Sequence, residues 1–201
     1  SATQGSFSDL LLGSVMTSDT GNITLLATGR IDGLADIVVD PAGLRAESVT
    51  IMARQVPDLV LRSRFADITV LDPGSLNITA LGNQALTLSV SLRSGGLTVT
   101  HADGDLTLRN IVLATDADQN DLTVTAGGTI RIGRISAGQF YASEADIPPS
   151  ASGAEAGIFS LSDVTLTAGG AVLQDSADAD IDLIADHLLI RAEMGVGPLQ
   201  T

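Results

Sequence analysis

Asp121-Leu122-Thr123-Val124-Thr125-Ala126-Gly127-Gly128 and Asp163-Val164-Thr165-Leu166-Thr167-Ala168-Gly169-Gly170 are nearly the same phrase written twice. Aliphatic and Thr residues alternate in each, so Leu122 and Val124 fall on one face and Thr123 and Thr125 on the other. That is the pattern of a half-buried strand with Thr outward, where its β-branch suits a pleated surface. Shorter copies of the word run along the chain: Asn22-Ile23-Thr24-Leu25, Ser48-Val49-Thr50-Ile51, Asp67-Ile68-Thr69-Val70, Asn77-Ile78-Thr79-Ala80, Gly96-Leu97-Thr98-Val99 and Asp105-Leu106-Thr107-Leu108.

The spacing between copies decides the architecture. Leu97 and Leu122 are 25 residues apart, Ile23 and Val49 are 26, and Leu122 and Val164 are 42, which reads as two periods of 21. A period of roughly 20 to 50 residues marks a stacked repeat protein. Second strands lie between the main copies: Leu86-Thr87-Leu88-Ser89-Val90, Thr129-Ile130-Arg131-Ile132 and Asp180-Ile181-Asp182-Leu183-Ile184. The sequence therefore predicts an all-β chain, a right-handed parallel β-helix (β-solenoid) of about eight rungs, a rod near 40 Å long at about 4.8 Å per rung. The rival is an antiparallel sandwich, which needs tight Asn-Gly or Asp-Gly hairpins after most strands. Only Asp32-Gly33 and Asp103-Gly104 fit, and they do not recur after each strand.

The predicted organisation is an amino-terminal entry or partial rung over 1–20, then a solenoid over 21–201. A loop inserted at 137–160 holds Pro148-Pro149 and the only Tyr. Helix signals are poor. Phe7 to Met16 admits a short helical turn, and Pro57 blocks a helix from Ala53 to Phe65, so Pro57 reads as a corner before the strand Leu59-Val60-Leu61.

Composition agrees. Hydrophobic residues make up 44% of 201 residues but aromatics only 2%, so Leu, Ile, Val and Ala must fill the core. All ten basic residues are Arg, and 20 of the 24 acidic residues are Asp. Helical surfaces favour Glu and Lys, whereas Asp favours turns and caps. The net charge of −14 argues against nucleic acid and anionic membrane surfaces as partners, and no apolar run is long enough to insert in a membrane as a helix. Cys is absent, which excludes disulfides and thiolate sites.

The closing stretch, Asp180-Ile181-Asp182-Leu183-Ile184 through His187-Leu188-Leu189-Ile190-Arg191-Ala192-Glu193-Met194-Gly195-Val196-Gly197-Pro198-Leu199-Gln200-Thr201, resembles the repeats of filamentous-haemagglutinin-like bacterial exoproteins. There a strand is followed by a Gly-rich turn and a Pro-Leu-Glu/Gln-Thr phrase opens the next rung. The Leu-Thr-Val-Thr-Ala-Gly-Gly words resemble the same repeats. The resemblance implies a right-handed β-helix within a large secreted or surface-attached, adhesin-like protein. That family's amino-terminal secretion motifs are missing, so a stalk or repeat segment of a longer chain is expected. The implied location is extracellular, at the bacterial cell surface. The implied partners are neighbouring rungs of the parent protein and a surface receptor or glycan.

Catalysis finds little support. His101 and His187 are 86 residues apart, several rungs on a solenoid, too far for one metal or one acid–base pair. No nucleophile elbow, P-loop or dinucleotide fingerprint occurs, so no enzyme activity is expected. Asp116, Asp118, Asn120 and Asp121 present oxygen side chains at near-alternate positions suited to calcium, although the EF-hand pattern fails beyond them; ordinary Asp-rich turns explain the same spacing. Phe140 and Tyr141, rare rings in the inserted loop, are candidates for recognition on a rigid scaffold. The alternatives to a stalk or adhesive surface are a carbohydrate-binding or carbohydrate-active β-helix and a calcium-stabilised binding module. The pairs Thr98/Thr100, Thr123/Thr125 and Thr165/Thr167 also raise the question of an ice-binding ladder. Against it, Leu26 follows Thr24, Met52 follows Thr50, Leu71 follows Thr69 and Arg109 follows Thr107.

Overall fold

A computed structural model describes residues 10–11, 16–17, 21–32, 44–114, 121–137, 163–175, 182–185 and 187–199. The described residues contain strands and no helix, hence none long and apolar enough to cross a membrane. Two large sheets account for nearly all of it. One contains β2 (Met16–Thr17), β5 (Leu44–Arg45), β7 (Asp58–Arg62), β9 (Leu76–Ala80), β11 (Leu97–His101), β13 (Leu122–Ala126), β16 (Val164–Ala168) and β19 (Leu188–Ala192), stacked in that order. The other contains β3 (Asn22–Leu26), β6 (Ser48–Ala53), β8 (Phe65–Val70), β10 (Leu86–Leu92), β12 (Leu106–Leu113), β14 (Ile130–Ile132), β15 (Ile135–Ala137), β17 (Val172–Gln174) and β18 (Leu183–Ile184). β1 (Leu10–Leu11) pairs with β4 (Ile31–Asp32) as a separate ribbon.

The chain alternates between the two large sheets, and each strand inside a sheet hydrogen-bonds to strands of the passes before and after it. Every strand pairing among the described residues is parallel, which removes the sandwich: its hairpins would make antiparallel ladders. The result is a solenoid-like stack. Leu97, Leu122 and Val164 are direct partners and lie on one buried stripe, as the repeated word requires. Val99, Val124 and Leu166 form the next stripe. The buried hydrophobic residues are all Leu, Ile, Val or Ala, and Phe65 is 40% exposed, so among the described residues the core holds no Phe, Tyr or Trp.

Because Leu122 pairs directly with Val164, the 42-residue step is a single pass and not two periods of 21. Ala137 closes β15 with its side chain fully buried, and the rest of the expected loop, residues 138–160, lies outside the described residues. Within the expected helical turn of residues 7–16, Leu10–Leu11 is a strand, and Met16 begins another. The corner at Pro57 holds: β7 begins at the next residue.

The Gly-Gly ending of the repeated word has a steric cause. A Cβ on Gly127 would collide with the Ala102 carbonyl one pass below, and a Cβ on Gly169 with the Gly127 carbonyl. At this corner, backbone stacks directly on backbone, so only glycine fits.

Candidate functional site

The corners explain why Asp outnumbers Glu. At the entry to the sheet that contains β13, Asp121 Oδ1 accepts the Asp163 N–H at 3.2 Å, and Ser75 Oγ accepts the Gly96 N–H at 3.2 Å. At the entry to the opposite sheet, Asp105 Oδ1 accepts the Thr129 N–H at 2.7 Å. In each case a short side chain reaches the backbone of the next pass and satisfies a donor where the ladder is interrupted. Asp163 carries this line onward with an exposed side-chain hydrogen bond, its Oδ1 3.0 Å from His187 Nδ1.

Asp121 is thus engaged in the stack itself. The other calcium candidates, Asp116, Asp118 and Asn120, and the recognition candidates Phe140 and Tyr141, lie outside the described residues. Farther along the chain, Asp175 is exposed and Asp182 is buried, its Oδ1 accepting from the Gln174 side-chain amide at 3.4 Å. Among the described residues no three His, Asp or Glu side chains gather as metal ligands would.

The two histidines take separate structural places. His101 ends β11 and pairs with Ala126, which continues into Ala168 and Ala192, so an imidazole replaces the small side chain of an otherwise alanine stripe. It is 1% exposed. Its Nε2 lies 2.8 Å from the Gln84 carbonyl oxygen and its Nδ1 3.4 Å from the Ala80 carbonyl oxygen, so both ring nitrogens face backbone acceptors. The ring fits because residue 104 is glycine: a Cβ there would strike His101 Nε2. His187 precedes β19, three strands away, about 14 Å at the strand spacing, and is exposed.

One cleft of about 230 Å³ opens between Arg30, Gln55, Pro57 and Gly74–Ser75, above Val56 and Val70. Beside it an exposed ion pair joins Arg54 to Asp72 at 3.3 Å.

The outer faces of the two sheets differ. The Thr words that ended in Leu26, Met52, Leu71 and Arg109 all belong to β3, β6, β8 and β12, or to the residue following β8. These lie in one sheet. The Thr-x-Thr pairs at 98/100, 123/125 and 165/167 lie in the other, on adjacent strands. The interruptions that argue against a Thr ladder therefore belong to a different surface. The sequence shows the words, but only the alternation of the chain between sheets assigns each to its face. No family model, curated protein or solved structure matches the chain.

Proposed function

We propose that this chain is a rigid stalk or adhesive segment of a large secreted or surface-attached bacterial protein, related to the filamentous-haemagglutinin-like repeats. The architecture in this reading is a right-handed coil of about eight rungs; one sheet holds eight strands, and parallel crossovers are right-handed in about 98% of cases. The observation that carries the proposal is the unbroken parallel register from β9 through β11, β13 and β16 to β19. Each pass supports its neighbours, so length grows with the number of passes and the stack transmits force along its axis. A net charge of −14 keeps such rods apart.

Labelling tests the location and role together. Antibodies against the chain should stain intact, unpermeabilised cells, and the purified chain should compete with those cells for attachment to their surface. Staining confined to permeabilised cells would refute the proposal.

A further inference from the structure

The outward positions of β9, β11, β13 and β16 are Asn77 and Thr79, Thr98 and Thr100, Thr123 and Thr125, and Thr165 and Thr167. Pairing aligns them in two rows across the sheet. One row is Asn77, Thr98, Thr123 and Thr165; the other is Thr79, Thr100, Thr125 and Thr167. No register shift interrupts these rows, whereas the opposite sheet has one between β10 and β12. Neighbouring strands stand about 4.8 Å apart, and alternate residues along one strand about 6.6 Å apart. Seven Thr and one Asn thus make a regular two-by-four net.

Three properties narrow the ligand. None of the eight positions carries an ionisable group, in a chain whose net charge is −14. Charge returns at the borders, with Asp58 on β7, Arg191 on β19, and Asp121 and Asp163 at the residues just before β13 and β16. No hydrogen bond joins any of the seven Thr hydroxyls to another described residue, and Thr79, Thr98, Thr123 and Thr125 are exposed. And each Thr is stiff about χ1, so hydroxyl and methyl are held in place before any contact. A charged polymer would find no counter-charge here. A glycan would find no aromatic platform, since no Phe, Tyr or Trp stands on the described strands of this sheet and the His101 ring is buried. What fits is a neutral lattice that repeats in two dimensions, accepts and donates hydrogen bonds at each point, and leaves room for methyl groups between.

We propose that this Thr face binds ice. The oxygen rows of hexagonal ice repeat at spacings close to those of the net. The hydroxyls join the lattice, the methyls occupy the gaps between rows, and little side-chain freedom is lost on contact because the rotamers are already fixed. This does not rest on the stalk proposal, and either can fail alone.

The test uses the whole chain, labelled with a fluorophore, in ice-affinity partitioning and thermal-hysteresis measurements. The folded chain should enter growing ice and depress the freezing point below the melting point. Thr123→Lys, at the centre of the net, should lose both effects while its circular dichroism and melting temperature stay unchanged. Thr123→Val, nearly isosteric, covers the case in which lysine disturbs folding and should reduce ice uptake. Thr107→Lys, outward on the opposite sheet, should behave like the unaltered chain. Exclusion of the folded chain from ice overturns the proposal. So does uptake that Thr123→Lys leaves intact, uptake lost equally in Thr107→Lys, or a face that pairs two copies without entering ice.

Discussion

Truncating one stripe at its middle and at its end gives a sharp test of the stack. Leu122 and Leu188 occupy equivalent inward positions, one paired with Leu97 and Val164, the other with Val164 alone. Leu122 is fully buried, whereas Leu188 is 39% exposed because no described strand lies beyond β19. Leu122→Ala removes three carbon atoms from a close-packed interior. Transfer alone costs about 2.4 kcal/mol at about 0.8 kcal/mol per methylene, and the cavity left between two fixed strands raises the total to about 3–4 kcal/mol. Leu188→Ala loses roughly three-fifths of the transfer term, about 1.5 kcal/mol, and leaves no closed cavity. Urea unfolding followed by circular dichroism reads both, with the slope m held constant so that the midpoints compare directly. A central substitution costing at least twice the terminal one is expected. Equal costs, or a Leu122→Ala penalty below about 1 kcal/mol, would mean that Leu122 is not stacked between two passes.

The remaining predictions concern the corners. Gly104→Ala should destabilise the chain, because its Cβ would strike His101; in Gly104→Ala/His101→Ala the clash disappears, so the double variant should be more stable than the two penalties added, and additivity in a thermal-melt cycle would remove the contact. Asp105→Ala should cost about 1–3 kcal/mol by leaving the Thr129 N–H without its acceptor, and Asp105→Asn should restore most of it; equal losses would assign the effect to charge. Gly127→Val should lower the melting temperature sharply, since no side chain fits against the Ala102 carbonyl, and an unchanged melt would mean that the corner opens freely. A calcium site at Asp116, Asp118, Asn120 and Asp121 should raise the melting temperature when calcium is added, an increment that Asp121→Asn abolishes; a melt indifferent to chelator would remove calcium from the account.

The architecture was legible because its cause is periodic. Alternation at 122–126 and 164–168 sets which side chains turn inward, and recurrence at similar intervals sets what they meet. A stripe such as Leu97–Leu122–Val164 follows from both. The 42-residue step was harder, since spacing alone cannot separate two short passes from one pass with an insertion; the direct pairing of Leu122 with Val164 decides it. The roles of His101 and Asp105 were not legible. Each depends on a neighbour in another pass, the Gln84 carbonyl for one and the Thr129 N–H for the other, and those offsets of 17 and 24 residues differ from corner to corner.

The same reasoning explains why a Thr ladder could hide in so repetitive a sequence. A coil of two sheets reads the strand word twice per pass, once for each face, so consecutive copies in the chain are not neighbours in space. Thr98 and Thr107 are nine residues apart and sit on opposite sheets, while Thr98 and Thr123 touch across one strand spacing. Interior stripes tolerate either order, because both sheets line one core. The outer faces do not. One carries Asp67, Arg109 and Arg131 with exposed Leu26 and Met52, and the other keeps charge away from four consecutive strands. Burial constrains every pass alike, so it cannot produce a difference between the two outsides. Whatever separates them acts from solvent, which makes the uncharged face the surface on which a binding role should be sought first.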